Sequence, residues 1–280
     1  MHTNYNRVKT LGPLAAHLTT TLYSRNHPVF HFQEAAEILG GSASASKVLA
    51  QLINNGVATR LESRVFRLVP PELGFEREHL GNPYAVAREL ALGGNTQQEY
   101  YLSYGSAFDL HQMVTQPQFI IYTSCPRMIR SRTIQGTEFR FVRCKANDLF
   151  GITEMWIDKH EKIQVSDLER TLLDGLKQPD YCGGFSEIAK AFSIKQPLID
   201  PQKIIDYAIK LNIGAVIRRL GYLMELYQIG TRIHWEFLQT KITATYQVLD
   251  PTLPAEGRHL AKWRLLLNIP EEELIAIRGT

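Results

Sequence analysis

Two consecutive prolines, Pro70 and Pro71, divide the chain. Proline lacks a backbone N–H and fixes φ, so neither a helix nor a central strand continues through the pair. An acidic and irregular run follows, from Glu72 to Asn82. We therefore predict an N-terminal domain at residues 1–70, a linker at 71–82 and a larger domain at 83–280, whose tail (231–280) has a less regular pattern.

The composition is that of a globular protein. The 280 residues are 44% hydrophobic and 21% charged, which excludes disordered, collagen-like and coiled-coil classes. The sequence has no apolar run of transmembrane length and no secretory signal in its first residues, so we expect no membrane partner. Three widely spaced cysteines, Cys125, Cys144 and Cys182, indicate a reducing compartment, and we expect a cytoplasmic protein.

The positive charge is concentrated at the N-terminus. The formal net charge is +3, and residues 1–70 hold seven Lys and Arg side chains against three Glu side chains. The remainder of the chain is almost balanced. This asymmetry favours an anionic partner for the first domain, with nucleic acid as the first candidate.

The first domain reads as a helix, a short strand, two more helices and a hairpin. The predicted elements are a helix from Pro13, a strand at 29–32, a helix at 33–39, a helix capped by Ser42 or Ser44 and ending near Asn55, and strands at 57–60 and 65–68. This order is that of a winged helix-turn-helix domain.

The third helix has two faces of different chemistry. Val48, Leu49, Leu52 and Ile53 form an apolar stripe that must face a core. The opposite face carries the candidate DNA-reading residues Ser44, Lys47, Gln51 and Asn54. Glutamine and asparagine can pair bidentately with adenine in the major groove.

The hairpin adds three candidate phosphate contacts, Arg60, Arg64 and Arg67. The alternative interpretation is a small protein–protein module with a solvated polar helix face, since winged helices also serve that purpose.

The larger domain mixes strand and helix patterns, which gives an α+β class for the whole chain. We predict strands at 119–123, 138–144 and 151–157. Ser166 and Glu169 are expected to form a capping box, with Arg170 and Asp174 as a surface pair on the helix that follows. Arg218 and Arg219 are expected either to contact an acidic partner or to lie on an exposed helix face.

The motif search favours no catalytic, cofactor or metal site. The sequence contains no Walker A, G-x-G-x-x-G or G-x-S-x-G motif. Ser106, Asp109 and His111 lie close together in sequence, but they are better explained as a polar helix start. A metal-dependent nuclease is the enzymatic alternative, yet the segment from Glu138 to Arg140 has arginine where lysine is needed. We expect the protein not to be an enzyme.

Several stretches together resemble the AbiEi family, the antitoxin component of type IV toxin–antitoxin systems. These stretches are residues 101–107 through 110–111, 139–142, 151–154, 165–174 and 219–223. The most specific one is the run Ser-Asp-Leu-Glu-Arg-Thr-Leu-Leu-Asp from Ser166 to Asp174. The resemblance covers most of residues 5–230. Leu168 stands where a proline is expected, and the tail past residue 230 is not matched.

The resemblance implies a function in transcription and phage resistance. Family members bind inverted repeats in their own promoters through the N-terminal domain, which implies self-association on double-stranded DNA. They counteract a nucleotidyltransferase-like toxin, without need of a stable complex, and the C-terminal domain is implicated in that activity. The alternatives are a DNA-targeted nuclease, whose metal-dependent cutting would require Glu138 or Glu154, and a protein-interaction adaptor.

Overall fold

The computed structural model describes residues 11–69, 81–114, 119–159 and 161–277. These residues mix helices and strands, consistent with the α+β class. The chain forms two compact units. The first comprises Met1–Tyr100, Ile129–Phe139 and Met155–Ile163, and the second comprises Tyr101–Met128, Arg140–Glu154 and Gln164–Thr280. The predicted linker lies outside the described residues except for Gly81 and Asn82.

Residues 11–69, called here the N-terminal module, contain helices and strands in the predicted order. They are α1 (Pro13–Ser24), β1 (Val29–His31), α2 (Phe32–Ile38), α3 (Ser42–Asn54), β2 (Ala58–Glu62) and β3 (Val65–Leu68). Each element lies within about two residues of its predicted bounds, because local periodicity and glycine stops define them.

The remaining elements alternate between helix and strand. They are α4 (Pro83–Leu92), β4 (Tyr101–Leu102), α5 (Tyr104–Leu110), β5 (Ile120–Cys125), β6 (Arg132–Ile134), β7 (Thr137–Arg143), β8 (Ile152–Trp156), β9 (Lys162–Ser166), α6 (Leu168–Lys177), α7 (Phe185–Lys195), α8 (Pro201–Leu211), α9 (Gly214–Leu226), α10 (Arg232–Gln239), β10 (Gln247–Val248), β11 (Arg258–Leu260), β12 (Leu265–Leu267) and α11 (Glu271–Ala276). In the described ranges the sheets have the orders β1-β3-β2, β6-β7-β5-β4-β9-β8 and β10-β12-β11.

The N-terminal module has its own apolar core. Leu18, Leu22, Phe30 and Leu52 are fully buried in it. The turn between α2 and α3 requires glycine, because Gly40 and Gly41 have φ values of +73° and +155°. The expected serine cap of α3 is wrong, since Gly41 occupies the N-cap position and both Ser42 and Ser44 lie inside the helix.

Strand β3 is covered on both faces. It pairs antiparallel with β1 on one side and β2 on the other. Phe66 and Leu68 face the helical core of the module. The alternate residues Val65 and Arg67 point to the opposite face, as strand geometry requires. Helix α4 packs against β1 and β3 and belongs to the same unit, so this second face is buried as well.

The start of helix α6 differs from the expected capping box. Asp167, not Ser166, is the N-cap, and its carboxylate accepts a hydrogen bond from the Arg170 backbone N–H at 2.9 Å. Ser166 ends strand β9, and its hydroxyl hydrogen-bonds Thr171 Oγ1 at 2.7 Å. Glu169 accepts from the Asp200 backbone N–H at 3.1 Å.

Arg170 and Asp174 form a buried ion pair, so the expected surface pair is wrong. Arg170 Nε lies 2.9 Å from Asp174 Oδ1, and both side chains are at most 1% exposed. The guanidinium also donates to the Asp148 carbonyl at 2.8 Å and to the Tyr101 hydroxyl at 2.9 Å. Burial raises the pKa of Asp174 even beside this cation.

Arg218 and Arg219 are buried too, which contradicts both expectations for them. Arg218 donates to the Thr243 carbonyl at 3.0 Å, and Arg219 donates to the carbonyls of Leu176 and Val248 at 2.7 and 3.0 Å. The carboxyl-terminal tail covers this helix, since Trp263 is fully buried in the same core. The two arginines therefore satisfy backbone carbonyls inside the second unit.

We expect Arg170→Met to lower the free energy of unfolding by about 3–5 kcal/mol, because it leaves the Asp174 carboxylate buried without its cation. Urea denaturation followed by circular dichroism measures this change. The matched control is Arg232→Met, since Arg232 also pairs with a carboxylate four residues away but is solvent-exposed. The control should denature like the wild type, and equal losses in the two variants would contradict the assignment of a buried pair.

Candidate nucleic-acid interface

Helix α3 presents an open polar face. Val48, Leu49 and Leu52 are buried in the core, as the apolar stripe predicted, and Lys47, Gln51 and Asn54 on the other side are exposed. Ser44 is half-buried. The remaining exposed positions of the helix were not predicted as part of this face, and all carry small side chains: Ser42, Ala43, Ser46 and Ala50.

These small residues determine how closely a partner can approach. A helical wheel of residues 42–54 would have found them, since they lie beside Lys47 and Gln51 at helical spacing. With only methyl and hydroxymethyl groups around them, the long side chains of Lys47 and Gln51 project beyond the helix surface. Such a face can enter a groove as wide as the major groove of B-DNA.

Two arginines flank the turn between β2 and β3. Arg60 and Arg64 are exposed. Arg60 is held by its own turn: Nη2 donates to the Ser63 carbonyl at 2.6 Å, and the guanidinium lies 5.8 Å from the Phe66 ring centroid. The Arg64 carbonyl accepts from the Phe32 backbone N–H at 2.8 Å, which ties the turn to the start of α2.

Arg67 is not at this surface. It lies on the central strand β3 and is only 7% exposed, and burial lowers its pKa. A Cβ added at Gly81 would come within 2.6 Å of Arg67 Nε, so the chain preceding α4 lies directly against its side chain. The expected phosphate contact by Arg67 is therefore wrong in this fold, because the second face of the small sheet is covered.

A polar cavity of about 980 Å³ lies in the first unit, and Arg64 is among its lining residues. His27, at its wall, contacts carboxylates through both ring nitrogens: Nδ1 is 3.1 Å from Glu34 Oε2, and Nε2 is 3.1 Å from Glu89 Oε1. Both nitrogens can donate only in the imidazolium form. Burial disfavours that charge, but the hydrogen bonds to Glu34 and Glu89 outweigh it and raise the pKa of His27 to about 9.

Arg88 extends this network. Its Nε lies 2.8 Å from Glu89 Oε1, and its Nη2 lies 2.5 Å from Glu161 Oε1. Burial opposes ionisation of Glu89, yet the bonds from His27 and Arg88 prevail and lower its pKa. The network therefore links the α1–β1 connection of the N-terminal module to α4 by charge-assisted hydrogen bonds.

The side chains of Ser106 and His111 each hydrogen-bond a backbone group of the second unit. The Ser106 hydroxyl accepts from the Tyr122 backbone N–H at 2.8 Å. His111 Nε2 lies 2.7 Å from the Ser166 carbonyl and must donate to it, and burial lowers the pKa of this imidazole. The Ser106 hydroxyl and the His111 Nε2–H thus each bond a backbone group.

The described residues contain no group of side chains that could serve as the metal centre of a nuclease. Among them, no three His, Cys, Asp or Glu side chains are grouped so as to hold a metal ion. Glu138 is half-buried on β7 and Glu154 is exposed on β8. Within the same described ranges, every helix is too short or too polar to cross a bilayer.

We expect the His27 network to make stability depend on pH in a specific direction. The pKa of His27 in the folded state, about 9, lies above the usual histidine value of 6.5, so the stabilisation is complete below pH 6.5 and is lost as the pH rises through 9. His27→Gln should cost on the order of 1–3 kcal/mol at pH 6 and little at pH 10. Urea denaturation across this range measures the difference.

The control is His17→Gln, because His17 is an exposed histidine on the neighbouring helix α1. It should show no such pH dependence. A His27→Gln deficit that stays constant from pH 6 to pH 10 would contradict the imidazolium assignment.

Comparison with known proteins establishes a shared fold. No family model and no curated protein matches the sequence. The structure is similar to the crystal structure of the RV2827C protein from Mycobacterium tuberculosis, with a TM-score of 0.68 and 13% sequence identity over 96% of this chain and 96% of that chain. The two chains therefore have the same fold over almost their whole lengths.

Proposed function

We propose that this protein is a DNA-binding autorepressor and the antitoxin of a type IV toxin–antitoxin system. The observation that carries the proposal is the exposed face of α3, where Lys47, Gln51 and Asn54 project from a surface of small side chains. Arg60 and Arg64 are exposed in the same unit. In this reading the N-terminal module is a winged helix-turn-helix, α3 is its recognition helix and the β2–β3 turn is its wing.

The proposed contacts divide into two classes. Gln51 and Asn54 read base edges, since each amide can donate and accept in the plane of an adenine. Lys47 adds charge to the same face, and Ser44 lies at its partly buried margin. Arg60 and Arg64 contact phosphates, which fixes the register of the helix without adding sequence information.

The rest of the proposal rests on the resemblance to the AbiEi family. The run from Ser166 to Asp174, which carries much of that resemblance, contributes caps, a buried ion pair and core leucines to the second unit. Its role is therefore to build the fold. We propose that this larger part of the chain counteracts a nucleotidyltransferase-like toxin, with no catalytic activity of its own and without a need for a stable complex.

The direct test titrates the full chain into the DNA upstream of its own gene, with excess non-specific competitor and at two salt concentrations. A discrete shift that resists the competitor supports a repressor. The same reactions with Mg²⁺ should leave the DNA intact. No salt-dependent binding would overturn the proposal, and Mg²⁺-dependent cutting would replace it with the nuclease reading.

The two classes of contact should respond differently to substitution. Gln51→Ala and Asn54→Ala should each weaken binding to the specific site by about 1–3 kcal/mol and leave binding to random duplex unchanged. Arg60→Ala and Arg64→Ala should weaken both and reduce the slope of log K against log salt by about 0.9 for each lost phosphate contact. Fluorescence anisotropy on the two duplexes measures all four.

The buried Arg67 provides a check on the placement of the wing. Because its charge is inside the first unit, a folded Arg67→Met variant should keep the wild-type salt slope. If Arg67→Met lowers the salt slope as much as Arg60→Ala does, the β2–β3 turn is not the wing. If the Gln51 and Arg60 variants behave identically, α3 is not the recognition helix.

A further inference from the structure

The first unit contains a second hairpin, formed by β6 and the start of β7. Its turn, Gln135–Gly136, has φ values of +46° and +81°, the signature of the tight type I′ turn that matches strand twist. The register pairs Arg132 with Phe139 and Thr133 with Glu138. This hairpin begins at Arg132, far beyond the N-terminal module in sequence, and was not part of the predicted DNA-binding surface.

The hairpin is attached to the β2–β3 turn by an ion pair. Arg132 Nη1 lies 3.1 Å from Glu62 Oε2, and both side chains are about one-third exposed. Arg132 Nε donates to the Arg130 carbonyl at 3.2 Å, which fixes the chain that precedes β6. The Ser63 backbone N–H, together with Arg132, lowers the pKa of Glu62, so this carboxylate stays ionised.

The ion pair changes the charge at the turn. Glu62 is the acidic residue between Arg60 and Arg64, and a phosphate approaching them would be repelled by its carboxylate. Arg132 neutralises it, and Arg130 is exposed beside this contact. Glu138 is directly opposite Thr133, and paired residues share a face, so Glu138 projects on the face opposite to Arg132.

We propose that Arg130 and Arg132 extend the phosphate-contacting surface beyond the β2–β3 turn, so that the β6–β7 hairpin follows the same duplex backbone. The inference rests on the proposed DNA-binding function. Each strand of a duplex presents a phosphate every 3.4 Å along the axis, so a hairpin in contact with the wing meets the neighbouring phosphates. The contact is sequence-independent and adds affinity and salt dependence.

The test compares arginine variants of the full chain on a random-sequence duplex of about three helical turns, by anisotropy over a series of salt concentrations. Arg130→Gln should lower the salt slope by about 0.9, as expected for one lost phosphate contact. It leaves the Arg132–Glu62 ion pair in place, so the wing itself is not disturbed. Arg130→Lys retains the charge and should restore most of the slope.

Two controls separate a phosphate contact from a structural effect. Arg258→Gln removes another exposed arginine, on β11 in the second unit, and should keep the wild-type slope. Thermal denaturation of Arg130→Gln should match that of the wild type. The double variant Arg130→Gln/Arg132→Gln should lose more slope than Arg130→Gln alone, because it removes a second arginine and also leaves the Glu62 carboxylate without its cation.

The experiment distinguishes a failure of this inference from a failure of the proposed DNA-binding function. If the wild type shows no salt-dependent binding, both this inference and the proposed function are overturned. If the wild type binds and Arg60→Ala lowers the slope while Arg130→Gln and the double variant keep the wild-type slope, the DNA-binding function stands and the hairpin contact alone is wrong.

Discussion

The burial of strand β3 on both faces is the constraint on which the N-terminal module depends. Because β1 and β2 flank it, the helices α1–α3 cover one face and α4 covers the other, so β3 has no side chain to offer a partner. On α3 and at the turn beyond β2, by contrast, polar side chains are exposed. Because β3 is covered on both faces, the Arg67 side chain is buried, whereas Arg60 and Arg64 are exposed and can contact an anion.

The structural features whose determinants are local in sequence could be predicted from the sequence. The order of the six elements in residues 11–69 and the core stripe of α3 follow from periodicity and glycine stops. The features that depend on contacts with a distant segment of the chain were predicted wrongly. The spacing of Arg170 and Asp174 is the same in an exposed and in a buried pair, and only packing against Tyr101 and the Asp148 carbonyl distinguishes the two. Arg67 and Arg219 were misplaced for the same reason, since the chain near Gly81 and the tail cover them.

Charged groups inside this protein act mainly as structural connections. The imidazolium of His27 joins Glu34 on α2 to Glu89 on α4, and Arg88 carries the network on to Glu161. In the second unit, Arg170, Arg218 and Arg219 saturate backbone carbonyls. In the run from Ser166 to Asp174, Asp167, Arg170 and Asp174 belong to this structural class. The functional proposal depends instead on the few polar side chains that remain exposed on α3 and the neighbouring turn.

The most direct test of the central claim is a DNase I footprint of the full chain on the DNA upstream of its own gene. A recognition helix that reads one half-site per protomer predicts two protected windows with centres about one helical turn, 10–10.5 base pairs, or a multiple of it apart, over an inverted repeat. The protection should disappear with Gln51→Ala/Asn54→Ala at a protein concentration that saturates the wild-type site. Uniform protection without windows, or windows that persist in the double variant, would contradict the assignment of α3 as the reading helix.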